Sequence, residues 1–239
     1  MANRTAIRSR IVRHTTSVAA HSPAIVEHSL IRDVSTHVKR YLGPVGWVYH
    51  EEDSLYVHVD VHVVPPRAGR PHYTLITSGM SAAPMRVPCE DHETLIYAEL
   101  VMCLPADWPL TGRCGARMTP GSATWPIQWL RDLARLPHQY DTFLDIGHSI
   151  PNGEPAQPIG HTDFTGVVLL PPISTPEPFW TLERGNRTIR FLGVWPLLPE
   201  EMKYKLDHGT DRLWARFVKH GVTDVLNLNR VHVAPKARR

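Results

Sequence analysis

The stretch LYVHVDVHV, residues 55–63, decides the reading of the fold: Leu55, Val57, Val59, Val61 and Val63 alternate with Tyr56, His58, Asp60 and His62. A period of two sends successive side chains to opposite faces of a pleated strand, so the pattern predicts a strand with one buried apolar face and one polar face. Pro65-Pro66 ends it, because proline has no N–H to offer a ladder. Working outward, further strands are predicted at 72–78 (HYTLITS), 96–104 (IYAELVMCL), 164–170 (FTGVVLL) and 188–195 (TIRFLGVW). Each is set off by residues rich in Pro and Gly.

Upstream, Ile25, Val26, Leu30, Ile31, Val34, Val38, Tyr41 and Leu42 recur at helical spacing between Ser22-Pro23 and Gly43-Pro44, which predicts an amphipathic helix over 23–42. Trp125-Pro126 opens a shorter helix carrying Ile127, Leu130, Leu133, Ala134 and Leu136, and Pro137 is expected to close it. From Pro199 the apolar positions Met202, Leu206, Leu213, Trp214, Phe217 and Val218 are interrupted by His208-Gly209, so two consecutive helices are expected. Together these elements predict an α+β fold: a mixed, mostly antiparallel sheet with helices packed on it. With no internal repeat and no long linker, the expected organisation is a weakly ordered basic extension over 1–22, one domain over 23–220, and a short extended segment with a basic tail over 221–239.

Composition narrows the function classes. The chain has 239 residues, 42% hydrophobic and 21% charged, ordinary globular usage that favours neither disorder nor a membrane class. No apolar run approaches the roughly 20 residues a spanning helix needs. The formal charge of +3 sits at the ends, in Arg4, Arg8, Arg10, Arg13, Lys236, Arg238 and Arg239, so the body lacks the basic face of a nucleic-acid binder. Cys89, Cys103 and Cys114 make no metal knuckle and no CxxC pair, which points to reduced thiols and a cytoplasmic protein. Residues 1–24 are rich in Arg, Ser and Thr, without an apolar core for a secretory signal, and are read as an extension.

The motifs that carry catalysis are missing. There is no GxxxxGK[ST], GxGxxG, GxSxG or HExxH, and Ser78-Gly79-Met80-Ser81 reads as a turn. His58, Asp60 and His62 point to one side of the first strand and are candidate metal ligands; the alternative is the polar face of a half-buried strand. Asp141, Asp145 and His148 could be an acid and base pair, or residues that cap turns. Glu99 lies in an apolar strand, where it must face water or pair with an Arg or His. Trp108, Trp125, Trp129 and Trp180 lie in or beside Pro-rich segments, as core residues or interface anchors.

Read in order, several blocks resemble the Suppressor of fused domain: YLGP from Tyr41, HVDVHVVPP at 58–66, TLITSGMS at 74–81 and YAELVMCLP at 97–105. WP at 125, LARLPHQYDTFLDIGHSIPNG at 133–153, FTGVVLLPP at 164–172, FLGVWPLLPEEM at 191–202 and KLDHGTDRLWARF at 205–217 continue the series, so the likeness covers about 36–220. It is closest to the shorter, single-domain bacterial members. The resemblance implies an α+β domain that recognises proteins, without catalytic residues or a cofactor. Animal relatives hold a transcription factor by clamping an extended peptide as an added strand. Many bacterial relatives look like immunity proteins that neutralise a toxin. The implied function is a non-catalytic, immunity-type protein-binding module; the alternatives are a metal-dependent enzyme using His58, Asp60 and His62, or a regulator that sequesters a transcription factor. The candidate partner-facing residues are Tyr140, Asp141, Asp145 and His148, and an acidic position of the animal clamp is Gly147 here.

Overall fold

A computed structural model describes residues 25–52, 54–88, 93–110 and 123–235. In chain order the elements are α1 (His28–Leu42), β1 (Trp47–Tyr49), β2 (Asp60–Val64), β3 (His72–Ser78), β4 (Tyr97–Pro105), α2 (Trp125–Gln139), β5 (Ser149–Pro151), β6 (Gly166–Leu170), β7 (Thr181–Arg184), β8 (Arg187–Leu197), α3 (Pro199–His208) and α4 (Thr210–His220). The strands form one sheet in the order β1-β2-β3-β4-β8-β6-β5, with β7 paired to β8. The β4–β8 pairing is parallel and the others are antiparallel, which is the mixed, mostly antiparallel sheet with packed helices expected of an α+β chain.

Alternation along β8 sorts the helices onto the two faces. Ile189 and Phe191 pack with Leu30, Val34, Val38 and Leu42 of α1. Trp195 and Leu197, of the same parity, pack with Met202 of α3 and with Leu213 and Phe217 of α4. Leu192 and Val194 point the other way, into a cluster with Ile127, Leu130 and Leu133 of α2. With helices on both faces, every residue of β2 is buried. The expectation of one solvated face is therefore corrected: Asp60 and His62 lie beneath α1's side of the sheet at 2% exposure each.

Other boundaries differ for local reasons. The first helix starts at His28, because Ile25 donates its N–H to Tyr56 O (2.9 Å) and accepts from His58 N–H (3.1 Å), which holds residues 25–27 extended. The Ser22-Pro23 cap lies outside the described residues. Pro137 does not end α2, which runs two residues further; a proline near the last turn removes one hydrogen bond only. Strands β1, β5 and β7 were not anticipated: three or four residues, partly exposed, are too short to show a period. The break between α3 and α4 falls at Gly209, as the sequence suggests. After Gly221 the chain returns to the sheet, where Leu226 donates to Cys103 O (2.9 Å) and Arg230 meets buried Glu201 through Nη1 to Oε1 (2.5 Å) and Nη2 to Oε2 (2.7 Å).

Glu99 neither faces water nor pairs with a cation. It is fully buried, and its carboxylate accepts from Thr77 Oγ1 (2.7 Å), Gly79 N–H (2.9 Å), Ser81 N–H (3.0 Å) and Ser81 Oγ (2.6 Å). Burial pushes its pKa up while these donors pull it back. The turn read at Ser78–Ser81 is thus a cradle, and Gly79 makes it possible. Its φ is 128°, and an added Cβ would come within 1.8 Å of the His58 carbonyl oxygen.

Candidate functional site

The outer edge of β5, which among the described residues pairs with no strand besides β6, is the feature to which the candidate residues belong. β5 ends the sheet and has β6 as its strand neighbour; Ser149 pairs with Val168 and Ile150 with Val167. Pro151 shortens the edge it can offer, as edge strands require. Pairing is extended upstream by Gly147 N–H to Leu169 O (2.7 Å) and Leu169 N–H to His148 O (2.8 Å). The loop carrying the four candidates therefore runs directly into the edge strand.

Tyr140 closes α2 by donating its N–H to Leu136 O (3.0 Å). Its side chain lines a groove of about 220 Å³ between α2 and the edge strand, with Trp129, Leu133, Leu136, Ile150 and Asn152. Asp141, with φ 51°, turns outward and pairs with exposed Arg86. Asp145 turns inward, where its Oδ1 accepts from Arg190 Nη1 (2.6 Å) across from β8. The His148 ring packs edge-on against Phe143, with centroids 4.9 Å apart. Burial is the main cause that lowers its pKa, opposed by Asp145 and reinforced by Lys205 and Arg190.

The four candidates are thus divided: Tyr140 belongs to the groove, Asp141 to an outer ion pair, and Asp145 and His148 to a half-buried polar cluster. Sequence reasoning missed two cations that meet this loop and the strand after it, Arg190 and Lys205, on opposite faces of the sheet. Arg190 shares β8 parity with Leu192 and Val194, and a cation on a buried strand face was the available signal. Lys205 lies three residues after buried Met202 on α3, is 6% exposed, and donates from Nζ to Ser149 Oγ (2.9 Å). Burial lowers its pKa as well.

The metal candidates do not converge. His58 Nε2 donates to Asp60 Oδ1 (3.0 Å), Asp60 also accepts from His50 Nδ1 (3.0 Å) and Glu51 N–H (3.1 Å), and His62 Nε2 lies 2.8 Å from Ser78 Oγ instead. His58 Nδ1 lies 2.7 Å from Ser54 Oγ, so its second nitrogen is engaged too. Among the described residues no group of three or more His, Cys, Asp or Glu is arranged to hold a metal ion. The alternative of a metal-dependent enzyme using His58, Asp60 and His62 therefore has no ligand cluster behind it among the described residues. Of the tryptophans, Trp108 is 8% exposed and donates to Ala123 O (2.7 Å), Trp180 donates to Thr175 Oγ1 (3.1 Å), and Trp129 lines the groove. Cys103 is buried and free; Cys89 and Cys114 lie outside the described residues.

The profile of the Suppressor of fused protein family matches residues 56–231. The chain belongs to that family. The match spans β2 to the segment that Arg230 anchors, and so includes the β5 edge and its cluster. Among solved structures, a Suppressor of fused homologue from Neisseria gonorrhoeae aligns with a TM-score of 0.60 at 14% identity, over 88% of this chain and 100% of that one. A chain of the Sufu–Fu complex crystal structure aligns with a TM-score of 0.59 at 14% identity, over 85% of this chain and 91% of that one. Drosophila Suppressor of Fused aligns with a TM-score of 0.50 at 16% identity, over 74% of this chain and 42% of that one. These identities establish a shared fold. No curated protein sequence matches the chain. Among the described residues no helix is long and apolar enough to cross a membrane.

Proposed function

We propose that this chain is a non-catalytic protein-binding module of the immunity type, which neutralises a partner protein such as a toxin in the cytoplasm. The observation that carries the reading is the β5 edge, which pairs with no further strand among the described residues, beside the groove lined by Tyr140. An extended segment of the partner pairs with Ser149 and Ile150 as an added strand, and backbone hydrogen bonds supply affinity while side-chain pockets supply specificity. The Tyr140 groove, between α2 and the edge, takes one apolar side chain of that segment. The family membership supports the reading, since the Sufu–Fu complex is an assembly of a related fold with another protein.

The test is co-expression of the full chain with the products of neighbouring genes, followed by size-exclusion chromatography. A stoichiometric complex is expected, and Tyr140→Ala should weaken it about tenfold, the loss of one contact worth about 1.4 kcal/mol. If no neighbouring product is retained even at low salt, the immunity reading fails. A retained complex that ignores Tyr140→Ala moves the interface elsewhere.

A further inference from the structure

We propose that the groove between α2 and the β5 edge selects a basic side chain, lysine or arginine, from the partner's added strand. The inference rests on the protein-binding reading above and refines the side chain it places in the groove to one that is apolar along its stem and cationic at its tip.

One stripe of α2 shapes the groove. Trp129, Leu133, Leu136 and Tyr140 recur at helical spacing and share the lining with Asp132. From Trp129 to Tyr140 the helical rise is about 16 Å, so a volume of about 220 Å³ along it is narrow and suits an unbranched stem. The lining holds one formal charge, the Asp132 carboxylate, and no cation. That side chain is 58% exposed, which puts it at the mouth. Its Oδ1 accepts from Gln128 Nε2 (2.9 Å) and more distantly from Arg135 Nη1 (3.3 Å), while its Oδ2 accepts from no donor among the described residues. The neighbouring arginines are engaged on the β1 side of α2: Arg135 pairs with buried Glu51, and Arg131 donates to Tyr49 O (2.8 Å). The carboxylate at the mouth is thus short of a counter-ion.

The ring beside it is also uncovered. Trp129 lies three residues before Asp132, one turn away on the same stripe. Elsewhere the chain lays its own arginines over rings, Arg40 on Tyr41 (5.2 Å to the ring centre), Arg187 on Tyr97 (5.0 Å) and Arg230 on Phe164 (5.2 Å). Among the described residues no cation covers Trp129, although indole is the ring that attracts a cation most strongly. On the strand side, Asn152 spends its amide nitrogen on Gln157 O (3.0 Å) and Pro158 O (2.9 Å), so it too is left as an acceptor. Ile150 and Asn152 share one parity of β5, and a strand added along that edge presents every second side chain to their face. A methylene stem resting on Leu133, Leu136 and Ile150 then brings an ammonium or guanidinium head to Trp129 and the unmet oxygen of Asp132.

The experiment is selection of random short peptides on the full chain, repeated on Asp132→Asn, a change at an exposed position that keeps the shape of the side chain. The unaltered protein should enrich peptides with Lys or Arg at one fixed position, and the variant should lose that preference. In a synthetic copy of the best peptide, norleucine in place of the basic residue keeps the stem and drops the charge. That replacement should weaken binding about tenfold on the unaltered protein and less than about threefold on Asp132→Asn. Equal weakening on the two proteins puts the basic residue away from Asp132 and overturns the inference. Enrichment of apolar peptides without a basic preference also overturns it and leaves the protein-binding reading standing. No enrichment on the unaltered protein overturns both.

Discussion

Glu99 and Asp145 are both carboxylates at the sheet, and they are satisfied in opposite ways. Glu99 is wholly enclosed and surrounded by four neutral donors, two of them backbone N–H groups from the cradle at Gly79 and Ser81. Asp145, a quarter exposed, pairs with Arg190 through Nη1 and leaves Nε and Nη2 of that guanidinium unmet. A buried charge whose every bond is made locks one conformation, whereas a half-buried pair with unmet donors costs stability.

The sharpest way to break the comparison is at Glu99. Glu99→Leu strands two buried N–H groups and two hydroxyls and should cost about 4 kcal/mol or more in urea unfolding. Glu99→Gln should cost only about 1 kcal/mol, because its oxygen can still take the Gly79 and Ser81 donors while its amide faces Thr77 Oγ1. Equal losses for the two variants would show that shape rather than hydrogen bonding holds the cradle.

Next in size is the pH dependence of the polar layer that shares Glu99's face of the sheet. Burial lowers the pKa of His62 from 6.5 to about 4. A depressed imidazole means that the unfolded chain binds the proton more readily. Its contribution is therefore fully present above pH 6.5 and is lost as pH falls towards 4, by about 3 kcal/mol in all. Glu99 and Asp224, whose pKa values burial raises, act in the opposite sense, so the quantity to measure is the wild-type curve minus that of His62→Gln. A difference that stays flat from pH 7 to pH 4 would mean that His62 is not held neutral by its surroundings.

The smallest effects belong to the loop. Asp145→Asn should cost about 1 kcal/mol or less of stability, since Asp145 is only partly buried. Arg86→Ala, which frees Asp141, should cost less than about 0.5 kcal/mol, as befits a pair with both side chains more than half exposed. Thermal unfolding of the two variants checks both, and a loss at Arg86 larger than at Asp145 would reverse the assignment of inner and outer pairs.

Much of this fold is legible in the chain. The run HYTLITS coincides with β3 to the residue, and the stop at His208-Gly209 separates α3 from α4. The ordered blocks from YLGP onward lead to the family. What escapes is short or doubly covered: β1, β5 and β7 have too few residues to show a period, and the alternation at 55–63 says which residues share a face without saying that both faces are covered. At the site, the resemblance leads to Tyr140, Asp141, Asp145 and His148, but not to Arg190 and Lys205, which lie 45 and 56 residues from their partners Asp145 and Ser149.

By itself the sequence determined the order and kind of the longer elements, the apolar positions of the core and the family. These follow from periodicity, which is local. Tertiary structure alone decided that Asp60 and His62 are buried, that Glu99 is held by a backbone cradle instead of a cation, and that the loop's two aspartates face different arginines. Each of those outcomes depends on which distant side chain or N–H arrives at a given place. That is settled by how the strands order in the sheet and which helix covers which face, and neither is written in any one stretch of residues.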